Sequence, residues 1–361
     1  MRVLLTGAHG FLGWHTRARL HALTDHEVVP VGRANWPAIG ALLADVDAVI
    51  HVAGVNRGDA KETCETNVAL GRELAAAVRS VPRPPRLVYA NSTQADNDSP
   101  YGRGKREAGS ILADALADRN APFTDVRLPN LFGEHGRPDY NSFVATFVDR
   151  LIHGSSPSIQ DNRVDLLHAQ AAAQILIDAL AGSTQGVISP QGSPTTVLSV
   201  WRTLASLFGV YRHGEIPTLT NAYEVNLLNT LRAAMFEKQN IALTRRSDAR
   251  GSLVETVRAH GSQGQTFIST TKPGITRGEH FHLRKLERFV VIGGSAEIAV
   301  RRLYTNDVRR FHVNGDTPVA VDMPIGWAHK ITNTGIGTLT TMFWTSELFD
   351  PEDTDTYPEE V

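Results

Sequence analysis

The sequence predicts two units in tandem. The first is an α/β unit on a parallel sheet over residues 1–243, and the second an all-β unit of antiparallel strands over residues 244–361. Three observations carry this. At 361 residues the chain exceeds what one hydrophobic core usually serves. Its first half alternates short apolar runs with amphipathic stretches, the pattern of strands and helices in a parallel sheet covered on both faces. From about Thr244 the helical period fades, and short alternating runs separated by Gly, Pro and Asn turns take over.

In order, Arg2 to Thr6 reads as a strand and Leu12 to Leu23 as a helix. His26 to Val31 is strand-like, and Trp36 to Ala44 has helical spacing. Asp47 to Ala53 is a strand, Lys61 to Arg79 a helix and Arg86 to Asn91 a strand. Tyr101 to Arg119 is helical and Thr124 to Leu128 is the next strand. A helical region covers roughly Val200 to Gln239. Strands then follow at Leu253–Val257, Thr266–Ser269, Phe289–Ile292, Ala296–Val300, Arg310–Val313, Val319–Val321 and Leu339–Trp344. The acidic tail, FDPEDTDTYPEEV, is expected to lie on the surface.

Composition excludes several classes. Net charge is 36 − 38 = −2, which offers no field for nucleic acid or an anionic membrane surface. The single cysteine, Cys64, rules out an intramolecular disulfide and a zinc–thiolate cluster. MRVLLTGAHG stops its apolar run at Thr6-Gly7, too early for a signal peptide, and no run reaches the ~20 apolar residues of a membrane span. The expectation is a cytoplasmic protein without membrane or nucleic-acid partners.

Gly7, Gly10 and Gly13 form G-x-x-G-x-x-G between the first strand and the first helix. Gly7 and Gly10 permit a tight turn and close approach of backbone to a pyrophosphate, and Gly13 lets the helix pack on the strand. The helix N-terminus, opening at Phe11 and Leu12, presents free N–H groups to phosphate. Past the second strand stands Arg33 rather than an acid, a cation suited to the 2′-phosphate of NADPH. Tyr101 and Lys105 form Y-x-x-x-K, one helical turn apart, with Ser92 nine residues upstream. A phenol of pKa ~10 moves protons poorly at neutral pH, and a nearby ammonium should bring it into range. Ser92 can hydrogen-bond the substrate oxygen.

This stretch resembles the extended short-chain dehydrogenase/reductase family, over about residues 1 to 240. The resemblance includes His51-Val52-Ala53-Gly54-Val55-Asn56, Asn67 and Pro129-Asn130-Leu131-Phe132-Gly133. It implies a Rossmann-like fold, Ala53 and Gly54 passing the cofactor, and Asn130 in a region that contacts a nucleotide sugar. Dehydratases of that family carry an acid pair after the Ser/Thr. Here Thr93-Gln94 follow Ser92, with no acid until Asp96, so plain carbonyl reduction is expected.

The carboxy-terminal part carries His280 and His282, which share one face of a strand, then Glu287 and His329. Three imidazoles and a carboxylate suit a divalent zinc, nickel, iron or manganese ion. The spacing Gly274-x5-His280-x-His282-x4-Glu287-x6-Gly294, followed by Pro324-x-Gly326-x2-His329-x3-Asn333, resembles the two motifs of the cupin family, although Gly315 stands further upstream than usual. That implies an all-β cupin barrel holding the metal. DARGSLVETV resembles the opening strand of cupin sugar-nucleotide epimerases, which implies phosphate binding by Arg250 and a place near the site for Glu255. Arg277 adds a cation beside the motif. His260 and His312, outside any such spacing, are expected to be surface or structural.

End to end, the chain resembles the bifunctional capsular polysaccharide enzymes. HVAGVNR, PYGxxK, RLPNLFG, PDYNSFVATF and FDPxxxDTY carry the likeness. The resemblance implies C3 epimerisation of a UDP-4-keto-6-deoxy-HexNAc in the cupin domain. NADPH reduction at C4 in the other domain then gives UDP-2-acetamido-2,6-dideoxy-L-talose, for N-acetyl-L-fucosamine in capsule or O-antigen. It further implies zinc, a homodimer, and Tyr140, Asn141 and Ser142 as substrate contacts. Three other readings stand beside it: a monofunctional reductase whose cupin module binds or dimerises, an epimerase with tightly held NAD, and a binding protein with a dead site.

Overall fold

The computed structural model describes residues 1–140, 142–181, 185–236, 241–249, 251–261 and 264–361. It divides into two compact units, Met1–Thr146 with Ser158–Ser199, and Phe147–Pro157 with Val200–Val361.

The first unit is built on alternating elements. In order these are β1 (Arg2–Thr6), α1 (Phe11–Leu23), β2 (Glu27–Val31), α2 (Ile39–Leu43), β3 (Ala48–His51), α3 (Ala60–Ser80) and β4 (Arg86–Ser92). Then come α4 (Pro100–Ala117), β5 (Phe123–Leu128), β6 (Asn130–Phe132), α5 (Phe143–Ile152), which belongs to the second unit from Phe147 onward, β7 (Arg163–His168), α6 (Ala169–Ala181), β8 (Gly186–Ile188) and β9 (Ser193–Thr196). Caps set the helix starts. Asp59 accepts from the N–H groups of Lys61 and Glu62 at 2.9 and 3.1 Å, and Ser99 accepts from Gly102 at 3.0 Å with Pro100 in the first turn.

The main sheet is wholly parallel, in the order β2-β1-β3-β4-β5-β8. Its strands read as unbroken apolar runs because both faces are covered. Val3 and Leu5 join one core with Leu20 of α1 and Leu176 of α6. Leu4, between them, joins the other with Leu74 of α3 and Leu112 of α4. The chain steps outward from β1 to β2 and then crosses back to β3. The order reverses between β1 and β3, and a crevice at the carboxyl ends of such strands is where ligands bind in open α/β sheets.

The second unit takes in α7 (Val197–Tyr211) from Val200 onward, and α8 (Ala222–Phe236). The expected boundary after residue 243 and this division differ by those helices. The reason is packing: Phe236 sits edge-on to Trp327 at 5.3 Å and to Phe311 at 5.8 Å. The strands that follow are β10 (Ile241–Ala242), β11 (Arg245–Asp248), β12 (Gly251–Val254), β13 (Gln265–Thr271), β14 (Thr276–Phe281), β15 (Glu287–Gly293) and β16 (Ser295–Arg302). The last are β17 (Val308–Asn314), β18 (Val319–Met323), β19 (Trp327–Asn333), β20 (Leu339–Thr345) and β21 (Tyr357–Pro358). They make two five-stranded antiparallel sheets, β10-β18-β15-β20-β13 and β17-β16-β19-β14-β21, with β11 and β12 as a separate hairpin. Phe289, Val291 and Phe343 of the first sheet share one apolar core with Ile298, Val300 and Ile331 of the second.

The tail departs from expectation in part. Phe349 to Asp353 lie at the surface as expected, but Asp355 is only 2% exposed and Tyr357–Pro358 pairs with β14, so the tail is pinned at that point. No helix among the described residues is long and apolar enough to cross a membrane.

Candidate functional site

In the first unit the glycine turn sits at the β1/β3 crevice. Gly7 has φ +66°, and a Cβ there would lie 2.8 Å from the Ala53 nitrogen. A Cβ on Gly13 would lie 2.0 Å from the Gly7 carbonyl. Only glycine fits either place. Gly10 caps α1 with extended backbone and no side-chain acceptor, which leaves N–H groups around Phe11 and Leu12 for phosphate oxygens. Thr6 Oγ1 takes N–H bonds from Val52 and Ala53 at 3.2 Å, and Asn67 bonds both backbone groups of Val55. These bonds hold Ala53 and Gly54 against the glycine turn. Arg33 is exposed two residues past β2, without a hydrogen bond or ion pair among the described residues. The donors and the open backbone fit a dinucleotide, and Arg33 fits its 2′-phosphate.

Ser92 ends β4, and Tyr101 and Lys105 lie on the first turns of α4. Lys105 is buried, donates Nζ to the Ala90 carbonyl at 2.7 Å and lies 4.1 Å from the Tyr89 ring centre. Burial brings its ammonium down to about 7, with Asp125 opposing. Tyr101 was expected to be acidified by that lysine. Instead burial raises its phenol, with a Ser92 hydrogen bond opposing, because the Lys105 head turns to β4. The phenol therefore keeps its proton. Asp96 is held by Arg127 Nη1 at 2.5 Å. Asn130 is exposed at the start of β6, Tyr140 lies under the Arg137 guanidinium at 5.2 Å, and Ser142 is buried. Asn141 lies outside the described residues.

In the second unit His280, His282, Glu287 and His329 converge, one ligand atom of each lying within 4.8 Å of the others. β14 supplies His280, and His282 follows directly after it. β15 supplies Glu287 and β19 supplies His329, which pairs with His280 in register. Glu287 Oε2 is 2.9 Å from His282 Nε2 and 3.3 Å from His329 Nε2. Both Nε2 atoms are buried without a hydrogen-bond partner. Their Nδ1 atoms face carbonyls, Asp355 at 2.5 Å and Trp327 at 3.2 Å, which leaves Nε2 as the lone-pair nitrogen. Burial and the other two imidazoles lower His280 to about 3, so it is neutral. Burial would raise Glu287, but the histidines hold it well below the usual carboxylate range. Three imidazole nitrogens and an ionised carboxylate aimed at one point fit a divalent metal.

The other expected contacts are less gathered. Arg277 stands exposed on β14, bonded to Thr271 Oγ1 at 3.1 Å, and Glu255 is exposed past β12. Arg250 lies outside the described residues. His260 is exposed against Glu215, and His312 is exposed beside Glu297. Sequence reasoning missed Asp355. Its carboxylate takes the N–H groups of Leu283, Arg284 and Lys285 at 3.1, 3.0 and 2.8 Å, clamping the turn after His282. The acidic DTDTY run was the available signal.

A parallel sheet with this glycine turn defines a nucleotide-binding oxidoreductase class. The chain belongs to the NAD-dependent epimerase/dehydratase family, which matches residues 3–188. Residues 246–357 match the polysaccharide biosynthesis C-terminal domain. A Pseudomonas aeruginosa protein, UDP-2-acetamido-2,6-beta-L-arabino-hexul-4-ose reductase, is 34% identical over 368 aligned positions, covering 99% of this chain and 98% of its own. The crystal structure of capsular polysaccharide assembling protein CapF from Staphylococcus aureus matches the whole of both chains at TM-score 0.63 and 28% identity. The UDP-glucose 4-epimerase of Thermotoga maritima covers 66% of this chain and 100% of its own, at TM-score 0.56 and 16% identity, a likeness of fold.

Proposed function

We propose that the chain reduces the C4 ketone of a UDP-linked 4-keto-6-deoxy-HexNAc with NADPH. We further propose that its carboxy-terminal part is a cupin-type metal site that first epimerises C3. The product would be UDP-2-acetamido-2,6-dideoxy-L-talose, for N-acetylfucosamine in capsule or O-antigen. The observation that carries this is the end-to-end likeness to a reductase named for such a hexulose, on a chain that keeps Ser92, Tyr101 and Lys105 together.

NADPH, when bound, supplies the hydride to C4. Tyr101, kept protonated by burial, gives its phenolic proton to the ketone oxygen, so ketone, hydride and proton make the alcohol. Ser92 donates a hydrogen bond to that oxygen and fixes its direction. Thr93-Gln94 follow Ser92 where an acid pair would be needed to assist loss of water, which favours reduction over dehydration. In the other unit, a divalent ion on the three imidazoles and Glu287 would polarise the ketone as a Lewis acid and so acidify the neighbouring C–H.

The test uses UDP-4-keto-6-deoxy-HexNAc in heavy water. Deuterium uptake without NADPH, read by mass spectrometry, is expected to need His280 and His329. NADPH consumption is expected to need Tyr101. Consumption without metal-dependent exchange would instead make the carboxy-terminal unit a binding or dimerisation module.

A further inference from the structure

β15 places Glu287 and Phe289 on its inner face, so Arg288 between them projects from the other side, away from the histidine cluster. There it meets Asp322 of β18 in register. Arg288 Nε and Nη2 bond the two carboxylate oxygens at 2.7 and 3.0 Å, and Nη1 donates to the Gly214 carbonyl at 2.7 Å. Tyr211 donates its hydroxyl to Asp322 Oδ2 at 2.5 Å. Burial would raise the Asp322 carboxyl, but the Arg288 charge holds it down at about 2, so it is ionised. Burial, reinforced by the Asp322 charge, raises the Tyr211 phenol, so it is neutral.

Arg232 of α8 completes the group. Its Nε donates to Tyr211 Oη at 3.2 Å and its Nη2 to the Met323 carbonyl at 3.5 Å, while Nη2 stays 3.8 Å from Asp322 Oδ2. Its Nη1 is buried with no hydrogen-bond partner among the described residues. Two guanidiniums and one carboxylate leave a charge of 2 − 1 = +1. A buried lysine can escape such a place by losing its proton, but an arginine cannot. Among the described residues no further anion meets the excess charge.

A cavity of about 20 Å³ adjoins Arg232, lined also by Tyr211, Phe236, Ile241, Asp322 and Pro324. That is room for a single water-sized particle. Asp322 also lines the cavity, but its two oxygens accept from Arg288 and Tyr211, and it makes no hydrogen bond to Arg232 Nη1. We propose that this cavity binds one monovalent halide, which accepts from Arg232 Nη1 and completes the charge balance of the cluster. The apolar walls favour a weakly hydrated ion, bromide or chloride over fluoride. The ion would tie α8 to the Pro324 segment that leads into β19.

The test uses the full chain at fixed ionic strength with isethionate as the balancing anion. At fixed protein, the bound chloride read as chlorine-35 excess linewidth times chloride concentration is expected to saturate as chloride is raised and to be displaced by bromide. The thermal midpoint is expected to rise saturably with bromide and not with fluoride. Arg232→Met should lose both responses. A bound-chloride signal that stays linear in chloride, or a bromide response unchanged in Arg232→Met, would overturn the proposal, as would bromide-soaked crystals showing only water at Nη1. If Arg232→Met fails to fold, the wild-type line broadening and its displacement decide alone.

Discussion

Replacing Asp355 by Ala should loosen the proposed metal site without touching any of the four converging side chains. The carboxylate accepts three N–H bonds, and the same residue's carbonyl faces His282 Nδ1. Hydrogen bonds to a charged group contribute about 1.5–3 kcal/mol each. Arg284 is exposed and Lys285 half-buried, so their N–H groups regain water in the variant. Leu283 is buried, and its N–H is left unpaired. The expected loss of stability without metal is therefore about 2–4 kcal/mol, one full bond and part of two. Removing a partner that orients a ligand costs about 10- to 100-fold in metal affinity. Urea unfolding of the metal-free chain and zinc competition against a chromophoric chelator separate the two effects. Asp355→Asn should fall between, because asparagine tolerates the φ of 46° and keeps an acceptor. Zinc affinity within about twofold of wild type in Asp355→Ala would refute the argument.

Two further outcomes follow from the first unit. Lys105 has a folded pKa of about 7 against an unfolded value of about 10.4, so between those values the unfolded chain binds the extra proton and stability rises with pH. Relative to Lys105→Met, the wild type should gain about 2 kcal/mol from pH 7 to 9 in urea unfolding, and parallel curves would contradict the burial argument. Arg33→Ser should raise the KM for NADPH about 10- to 100-fold while leaving NADH use unchanged, and an equal effect on both would remove Arg33 from the 2′-phosphate.

What was legible in the sequence was local. The glycine turn needs seven consecutive residues, and its steric demands follow from them alone. His280 and His282 share a face through the two-residue period of a strand, so their convergence could be anticipated. Contacts distant in sequence were not legible. Asp355 reaches His282 across 73 residues, and the acidic DTDTY run around it does not say which turn it clamps. Tyr211 reaches Asp322 across 111, a contact within the second unit that no local pattern announces. The direction in which burial moves the Tyr101 phenol was not legible for a related reason. Helical spacing placed Lys105 one turn away, but whether its charge or the loss of water dominates depends on burial.

The adjacent Glu287 and Arg288 also bear on how β15 finds its partners. They face opposite sides of the strand, one toward three imidazoles and the other toward Asp322. A slip of one residue exchanges the faces. It would set a guanidinium among the histidines and bring a carboxylate up against Asp322. Both contacts are repulsive, or leave a charge buried without its counterpart, whereas the apolar run Phe289 to Ile292 would pack almost equally well either way. The charged pair thus proofreads the alignment of a strand whose hydrophobic residues cannot.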